Sequence, residues 1–214
     1  MSIIKIGTEG VKPSKAWFFK FIHKTTCFSV INGSSMEPTL HDGDLAVINK
    51  KRNFNRGDIV IIAVIRENGY LSSIVKRIVG LPGDEIVVRN SDSAIMINGV
   101  FLYEPYTKKP IRMIKDDHKG NSAKLTRIPK DCIYVLGDNR QASQDSRAFG
   151  VVPLKHVLSR VSYISRRDGT RHNFEPLKYV GLESKIANVP KFNIRDLKKK
   201  AKTKYKEYNK RCQQ

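Results

Sequence analysis

Ser35 lies in Gly33-Ser34-Ser35-Met36-Glu37-Pro38-Thr39-Leu40, and Lys76 in Val75-Lys76-Arg77-Ile78-Val79-Gly80-Leu81-Pro82-Gly83-Asp84. A serine hydroxyl is a poor nucleophile until a base takes its proton. Lysine can be that base only while its amine is neutral, and apolar burial favours the neutral form. Ile74, Val75, Ile78 and Val79 surround Lys76 in the chain. On an alternating strand Ile74, Lys76 and Ile78 share one face, with Val75, Arg77 and Val79 on the other, so Lys76 projects from a face built for burial. Moving a lysine from ~10.4 to about 7–8 takes roughly 3–5 kcal/mol, which a few packed aliphatic neighbours can supply. Arg77 cannot substitute, because a guanidinium stays protonated. Taken singly, a serine in a glycine-rich turn is usually a turn former and a lysine in a basic chain is usually solvated. The pairing of the two contexts is what suggests chemistry.

A third block, Gly137-Asp138-Asn139-Arg140 through Ser143-Gln144-Asp145-Ser146-Arg147-Ala148-Phe149-Gly150, follows in order. Together the three blocks resemble the type I signal peptidases, Ser-Lys endopeptidases that remove secretory leader peptides. The resemblance spans roughly Ser29 to Ser165. Lys76 to Asp84, with Ile97-Asn98-Gly99 and Glu104-Pro105-Tyr106, looks more like the bacterial branch than the mitochondrial inner-membrane branch. It implies a mostly β fold of folded antiparallel sheets. It also implies Ser35 as the nucleophile of an acyl-enzyme mechanism and Lys76 as its general base. Ser143 would orient the lysine, and Asp138, Asp145 and Arg147 would form a supporting polar network, with Asp145 and Arg147 as an ion pair. The Ser35 backbone N–H would stabilise the oxyanion. Gly33 stands where some family members carry a second, side-chain donor. Neither cofactor nor metal is implied. The expected partners are the signal peptides of exported preproteins, cleaved after an Ala-x-Ala-like site, and an anionic membrane surface. The implied location is the bacterial cytoplasmic membrane with the catalytic part on its outer side, or alternatively the mitochondrial inner membrane.

Other chemistries find little support. His23, His41, His118, His156 and His172 sit in no Ser-His-Asp motif, and there is no phosphate loop or H-E-x-x-H pair. Cys27, Cys132 and Cys212 are scattered, odd in number and without zinc spacing, so they read as free thiols. The 214 residues carry 40 Lys+Arg against 20 Asp+Glu, a formal charge of +20, which favours an anionic partner. Nucleic acid is one such partner, and a non-catalytic nucleic-acid-binding β domain is an alternative reading. The intact Ser35, Lys76 and Ser143 set argues against it. A self-cleaving Ser-Lys repressor would need a DNA-binding module ahead of its serine, and the segment before Ser35 is too short for one. A peptidase dedicated to one exported protein remains compatible.

The elements that must position these residues read as follows. Leu45–Asn49, Ile59–Ile65, Ser73–Val79, Glu85–Val88, Cys132–Leu136 and 157–164 are short, β-branched and bounded by Gly and Pro, hence strands. Asn98-Gly99 between apolar pairs signals a hairpin with a type I′ turn. Residues 1–28 are expected to form an anchoring segment whose short helix places Trp17, Phe18, Phe21 and Ile22 on one face and Lys20 and Lys24 on another, the pattern of an interfacial helix. No run reaches the ~18 apolar residues of a membrane span. Residues 29–165 form the β domain, with 106–127 as a variable loop. Residues 166–214 form an irregular linker and a basic helical tail that starts near Asn193, with Ile194, Leu197, Ala201, Tyr205 and Tyr208 as its apolar stripe.

Overall fold

The computed structural model describes residues 27–49, 53–65, 70–89, 94–107, 123–166, 168–174 and 185–186, together with residues 199, 200, 202, 203 and 207. The expected N-terminal helix lies outside the described residues. Lys199, Lys200, Lys202, Thr203 and Glu207 are helical and exposed, and the rest of the expected tail helix lies outside them too.

The strands are β1 (Cys27–Val30), β2 (Leu45–Asn49), β3 (Phe54–Asn55), β4 (Ile59–Ile65), β5 (Leu71–Gly80), β6 (Glu85–Arg89), β7 (Ile95–Ile97), β8 (Val100–Phe101), β9 (Ala123–Arg127), β10 (Cys132–Leu136), β11 (Val152–Pro153), β12 (Val157–Ser165), β13 (Arg171–Asn173) and β14 (Lys185–Ile186). One short helix, α1 (Ser146–Phe149), follows β10. The larger sheet runs β1-β2-β12-β4-β5-β10-β11, with β13 also pairing β12, and a smaller one runs β8-β7-β6-β9. All these pairings are antiparallel. The predominantly β antiparallel expectation therefore holds.

Alternation along β5 is visible in the core. Ile74 and Ile78 join one apolar cluster with Val60, Ile62, Ile133 and Val135. Val79 packs with Ile86, Ile95, Ile97 and Leu136, and Val75 packs beside Met36, Ile59 and Ile61. Both faces of β5 are thus covered. Each fully buried aliphatic side chain in such clusters is worth about 1.5–3 kcal/mol. Lys76 pairs with Val60 across the ladder, so its stem is surrounded by apolar strand.

The connection from β5 into the smaller sheet turns on Asp84, whose carboxylate accepts from the Leu81 N–H at 2.6 Å. The same group meets the fully buried Arg56 guanidinium at 2.7 Å and Asn98 Nδ2 at 3.0 Å. Asn98 and Gly99 have φ of 50° and 80°, as the two left-handed positions of a type I′ turn require.

Two boundaries differ from expectation. The proposed loop over 106–127 ends early, because Ala123–Arg127 is strand β9, paired with all five residues of β6. Its Ala-Lys-Leu-Thr-Arg sequence lacks a strand signature; edge pairing supplies what propensity does not. Likewise the stretch after 165 is not wholly irregular: β13 returns onto β12 and β14 pairs β3. The Arg166–Thr170 turn between β12 and β13 closes through the Arg166 N–H to the Thr170 carbonyl at 2.9 Å. Met36, next to Ser35, is 1% exposed and part of the core.

Candidate active site

The turn carrying Ser35 is held from both sides. Leu40 N–H donates to the Met36 carbonyl at 2.9 Å and Glu37 N–H to the Ser34 carbonyl at 3.1 Å. Met36 and Leu40 anchor the turn in the core that contains Ile59 and Ile61. Before it, Gly33 sits at φ 86°, a left-handed conformation that favours glycine, and its N–H donates to Asp42 Oδ1 at 2.7 Å. Gly33 therefore offers no side-chain donor beside Ser35.

Lys76 Nζ lies 2.8 Å from Ser35 Oγ and donates to the Val75 carbonyl at 2.8 Å. Lys76 is 4% exposed. Burial pushes its pKa down to about 8, against the opposing pull of the Asp145 and Asp138 carboxylates. Desolvation outweighs two nearby negative charges because those charges are neutralised by arginines of their own. Asp138 is clamped bidentately by Arg77, Nε to Oδ1 at 2.9 Å and Nη2 to Oδ2 at 2.6 Å. Thr39 also donates to Asp138 Oδ2. Asp145 is clamped by Arg147, Nε to Oδ1 at 2.8 Å and Nη2 to Oδ2 at 2.9 Å. Its carboxylate also receives the Gly137 N–H at 3.0 Å and caps α1 through the Arg147 N–H at 3.2 Å. Burial works to raise the Asp145 pKa, but these hydrogen bonds prevail and hold it below the usual carboxylate value.

Of the residues singled out from the sequence, Ser35 and Lys76 are brought into direct contact, Asp145 and Arg147 form an ion pair, and Asp138 is buried close enough to influence Lys76. Ser143 lies next to the pair: a Cβ added at Gly137 would come 2.2 Å from Ser143 Oγ and 2.5 Å from the Ser35 carbonyl oxygen. The Ser143 hydroxyl is buried and outside hydrogen-bonding geometry with any described group, including Lys76. It still counts among the groups favouring ionised Asp145.

Several contributors carried no role in the sequence reading. Arg77 reads only as the residue that cannot be the base, yet its buried guanidinium ties β5 to the loop after β10 and also donates to the Gly57 carbonyl at 2.8 Å. It stacks 3.9 Å from the Tyr106 ring, a favourable cation–π contact. Arg140 pairs with buried Glu104, which also accepts from Tyr106 OH at 2.7 Å. Asn139 bonds the backbone of both Ser34 and Ser35. The available signal was membership of the matching stretches, Arg77 in the second block, Asn139 and Arg140 in the third, and Glu104 and Tyr106 in Glu104-Pro105-Tyr106; the partners lie up to 105 residues apart in the chain.

A strongly β fold that buries a low-pKa amine against a serine hydroxyl has the parts of a serine hydrolase with a lysine base. Among the described residues no cluster of His, Cys, Asp and Glu could hold a metal ion. The model of the family described as signal peptidase, peptidase S26, matches residues 16–165. The chain belongs to this family and is a signal peptidase I-like serine endopeptidase acting on exported preproteins. Signal peptidase I of Bacillus caldolyticus is 35% identical over 144 residues, covering 63% of this chain and 76% of that protein. Signal peptidase IB of Staphylococcus aureus is 33% identical over 162 residues, covering 68% of this chain and 81% of that protein. A crystal structure of a signal peptidase I from Enterococcus faecalis is 30% identical, with a TM-score of 0.36, and covers 53% of this chain and 98% of that one.

Proposed function

We propose that Ser35 is the nucleophile and Lys76 the general base with which this endopeptidase cuts leader peptides. One observation carries the reading: the 2.8 Å approach of Lys76 Nζ to Ser35 Oγ by an amine whose pKa burial lowers to about 8. In the acylation step neutral Lys76 accepts the hydroxyl proton as Ser35 Oγ attacks the scissile carbonyl. The tetrahedral oxyanion receives the Ser35 N–H. Collapse breaks the C–N bond, and the proton on Lys76 passes to the leaving amine. Water then attacks the acyl ester with Lys76 again as base, and Ser35 Oγ departs with its proton restored. Asp145 and Arg147 hold the loop bearing Ser143, and Asp138 with Arg77 holds β5; none of the four exchanges a proton with substrate.

The substrate on this reading is an extended leader with small residues at the first and third positions before the cut. A detergent-solubilised assay with an Ala-x-Ala leader peptide should give one cut, after the second alanine. Phenylalanine at either alanine position should reduce kcat/KM by at least about 10²-fold, since a pocket shaped for a methyl group must repack to admit a ring. Indifference to phenylalanine, or cutting at scattered bonds, would remove the specificity claim.

Residues 29–165 form the catalytic unit in this proposal, and the flanks meet anionic lipid at the outer face of a bacterial cytoplasmic membrane. The excess of Lys+Arg over Asp+Glu, 40 against 20, supports it. Among the described residues no helix is long and apolar enough to cross a membrane. Flotation on vesicles with and without anionic lipid tests the point: binding should need the anionic lipid and weaken with salt. Equal flotation on both vesicle types would sink it.

A further inference from the structure

From the bonds made by Asn139 we infer that this residue aims the oxyanion donor: its side-chain amide anchors the peptide plane whose N–H is the Ser35 N–H. The inference rests on the proposed role of Ser35. Asn139 Nδ2 donates to the Ser34 carbonyl oxygen at 3.1 Å. That carbonyl belongs to the same peptide unit as the Ser35 N–H. The unit is trans, since among the described residues only Glu37–Pro38 is cis. In a trans peptide C=O and N–H point in opposite directions within one plane, so fixing the oxygen fixes the direction of the hydrogen.

The plane is pinned by two bonds, and the peptide after it by a third. The Ser34 oxygen accepts a second bond, from Glu37 N–H at 3.1 Å, and the Asn139 N–H donates to the next carbonyl, that of Ser35, also at 3.1 Å. The Ser35 N–H itself has no acceptor among the described residues. A backbone donor at a turn without an internal partner, opposite a doubly bonded carbonyl, is poised for an incoming oxyanion. Both bonds on the Ser34 oxygen also draw electron density through the amide and make its N–H a stronger donor, as hydrogen bonds in a chain polarise one another. Asn139 is 7% exposed, and its own carbonyl accepts the Ala142 N–H at 3.1 Å, so the anchor is rigid. The device suits a site where Gly33 supplies no side-chain hydroxyl to share the load. Asn139 is accordingly a positioning residue and does not touch substrate.

Asn139→Ala removes the side-chain bond and keeps the backbone one. Its kcat on the leader peptide should fall about 10- to 100-fold, less than outright loss of an oxyanion donor, with KM changed by less than about two-fold. Asn139→Asp keeps the shape but presents an acceptor to an acceptor, so it should lose at least as much. It also decides the matter if the alanine variant does not fold. A second readout uses Ser35→Cys alkylated by iodoacetamide and followed at residue 35 by mass spectrometry. That displacement generates no oxyanion, so adding Asn139→Ala should leave its rate and pH midpoint unchanged. Unchanged kcat in the two variants would overturn the inference, and so would equal losses in hydrolysis and alkylation, which indicate general loosening of the turn. Failure of the underlying reading looks different: alkylation of Ser35→Cys would then be indifferent to Lys76→Met.

Discussion

Lys76→Met loses at least about 10³-fold in kcat/KM on a leader peptide, the scale of removing a general base on which the nucleophile depends, yet unfolds at a higher temperature than the native chain at pH 7. The two effects have one cause. Folding places the Lys76 amine where burial lowers its pKa from 10.5 to about 8. The unfolded chain therefore binds more protons than the folded chain between those values, and stability contributed by this group rises with pH across that window. Below about 8 the folded chain carries a buried ammonium at nearly full cost, about 3 kcal/mol at pH 7. Methionine removes that cost while filling similar space. It forfeits the bonds to Ser35 Oγ and the Val75 carbonyl, about 1 kcal/mol each, leaving a net gain of about 1 kcal/mol.

Thermal unfolding at several pH values checks the sign: the advantage of Lys76→Met should shrink above about pH 8, vanish at about pH 9 and reverse towards about pH 10. In the native chain kcat/KM should climb with pH and level off above about 8, as Lys76 becomes neutral. Ser35→Ala should cost as much as Lys76→Met, and the double variant no more than either, because the pair acts as a unit. A Lys76→Met chain that keeps its activity, or a flat pH profile below 8, would dispose of the proposed base.

Asp138→Ala should destabilise the fold by about 3–5 kcal/mol, the scale of leaving one member of a buried ion pair without its partner. The Arg77 and Asp138 side chains are 5% and 1% exposed. Removing the carboxylate strands the guanidinium, whose remaining acceptors include the Gly57 carbonyl and whose face meets Tyr106. It also unties Thr39, which closes the nucleophile turn onto Asp138. Urea denaturation of Asp138→Ala, Arg77→Leu and the double Arg77→Leu/Asp138→Leu makes the test. The double variant should recover much of the loss, since replacing both charges removes the stranded one. Asp138→Asn separates stability from electrostatics: without the carboxylate, the pKa of Lys76 drops further and the activity limb moves below about 8. A double variant as unstable as Asp138→Ala would show that the loss comes from packing and not from the stranded charge.

The alternation of Ile74, Lys76 and Ile78 against Val75, Arg77 and Val79 was legible without coordinates, because a strand's two-residue period depends only on covalent geometry and hydrophobic type. The Asn98-Gly99 turn was legible for a similar reason: few residue pairs tolerate two left-handed positions. Strand β9 was not, since Ala-Lys-Leu-Thr-Arg becomes a strand through the ladder of β6 beside it and not through its own preferences. The site divides along the same line. Three short blocks and the family they resemble were enough to single out Ser35, Lys76, Ser143, Asp138, Asp145 and Arg147 as candidates. That Arg77 neutralises Asp138, that Asn139 grips the Ser34 carbonyl, and that Met36 packs with Ile59 and Ile61 were decided by the tertiary fold. Hydrogen bonds and burial depend on which groups the folded sheets bring within about 3 Å, and no local pattern in a chain encodes a partner sixty or a hundred residues away.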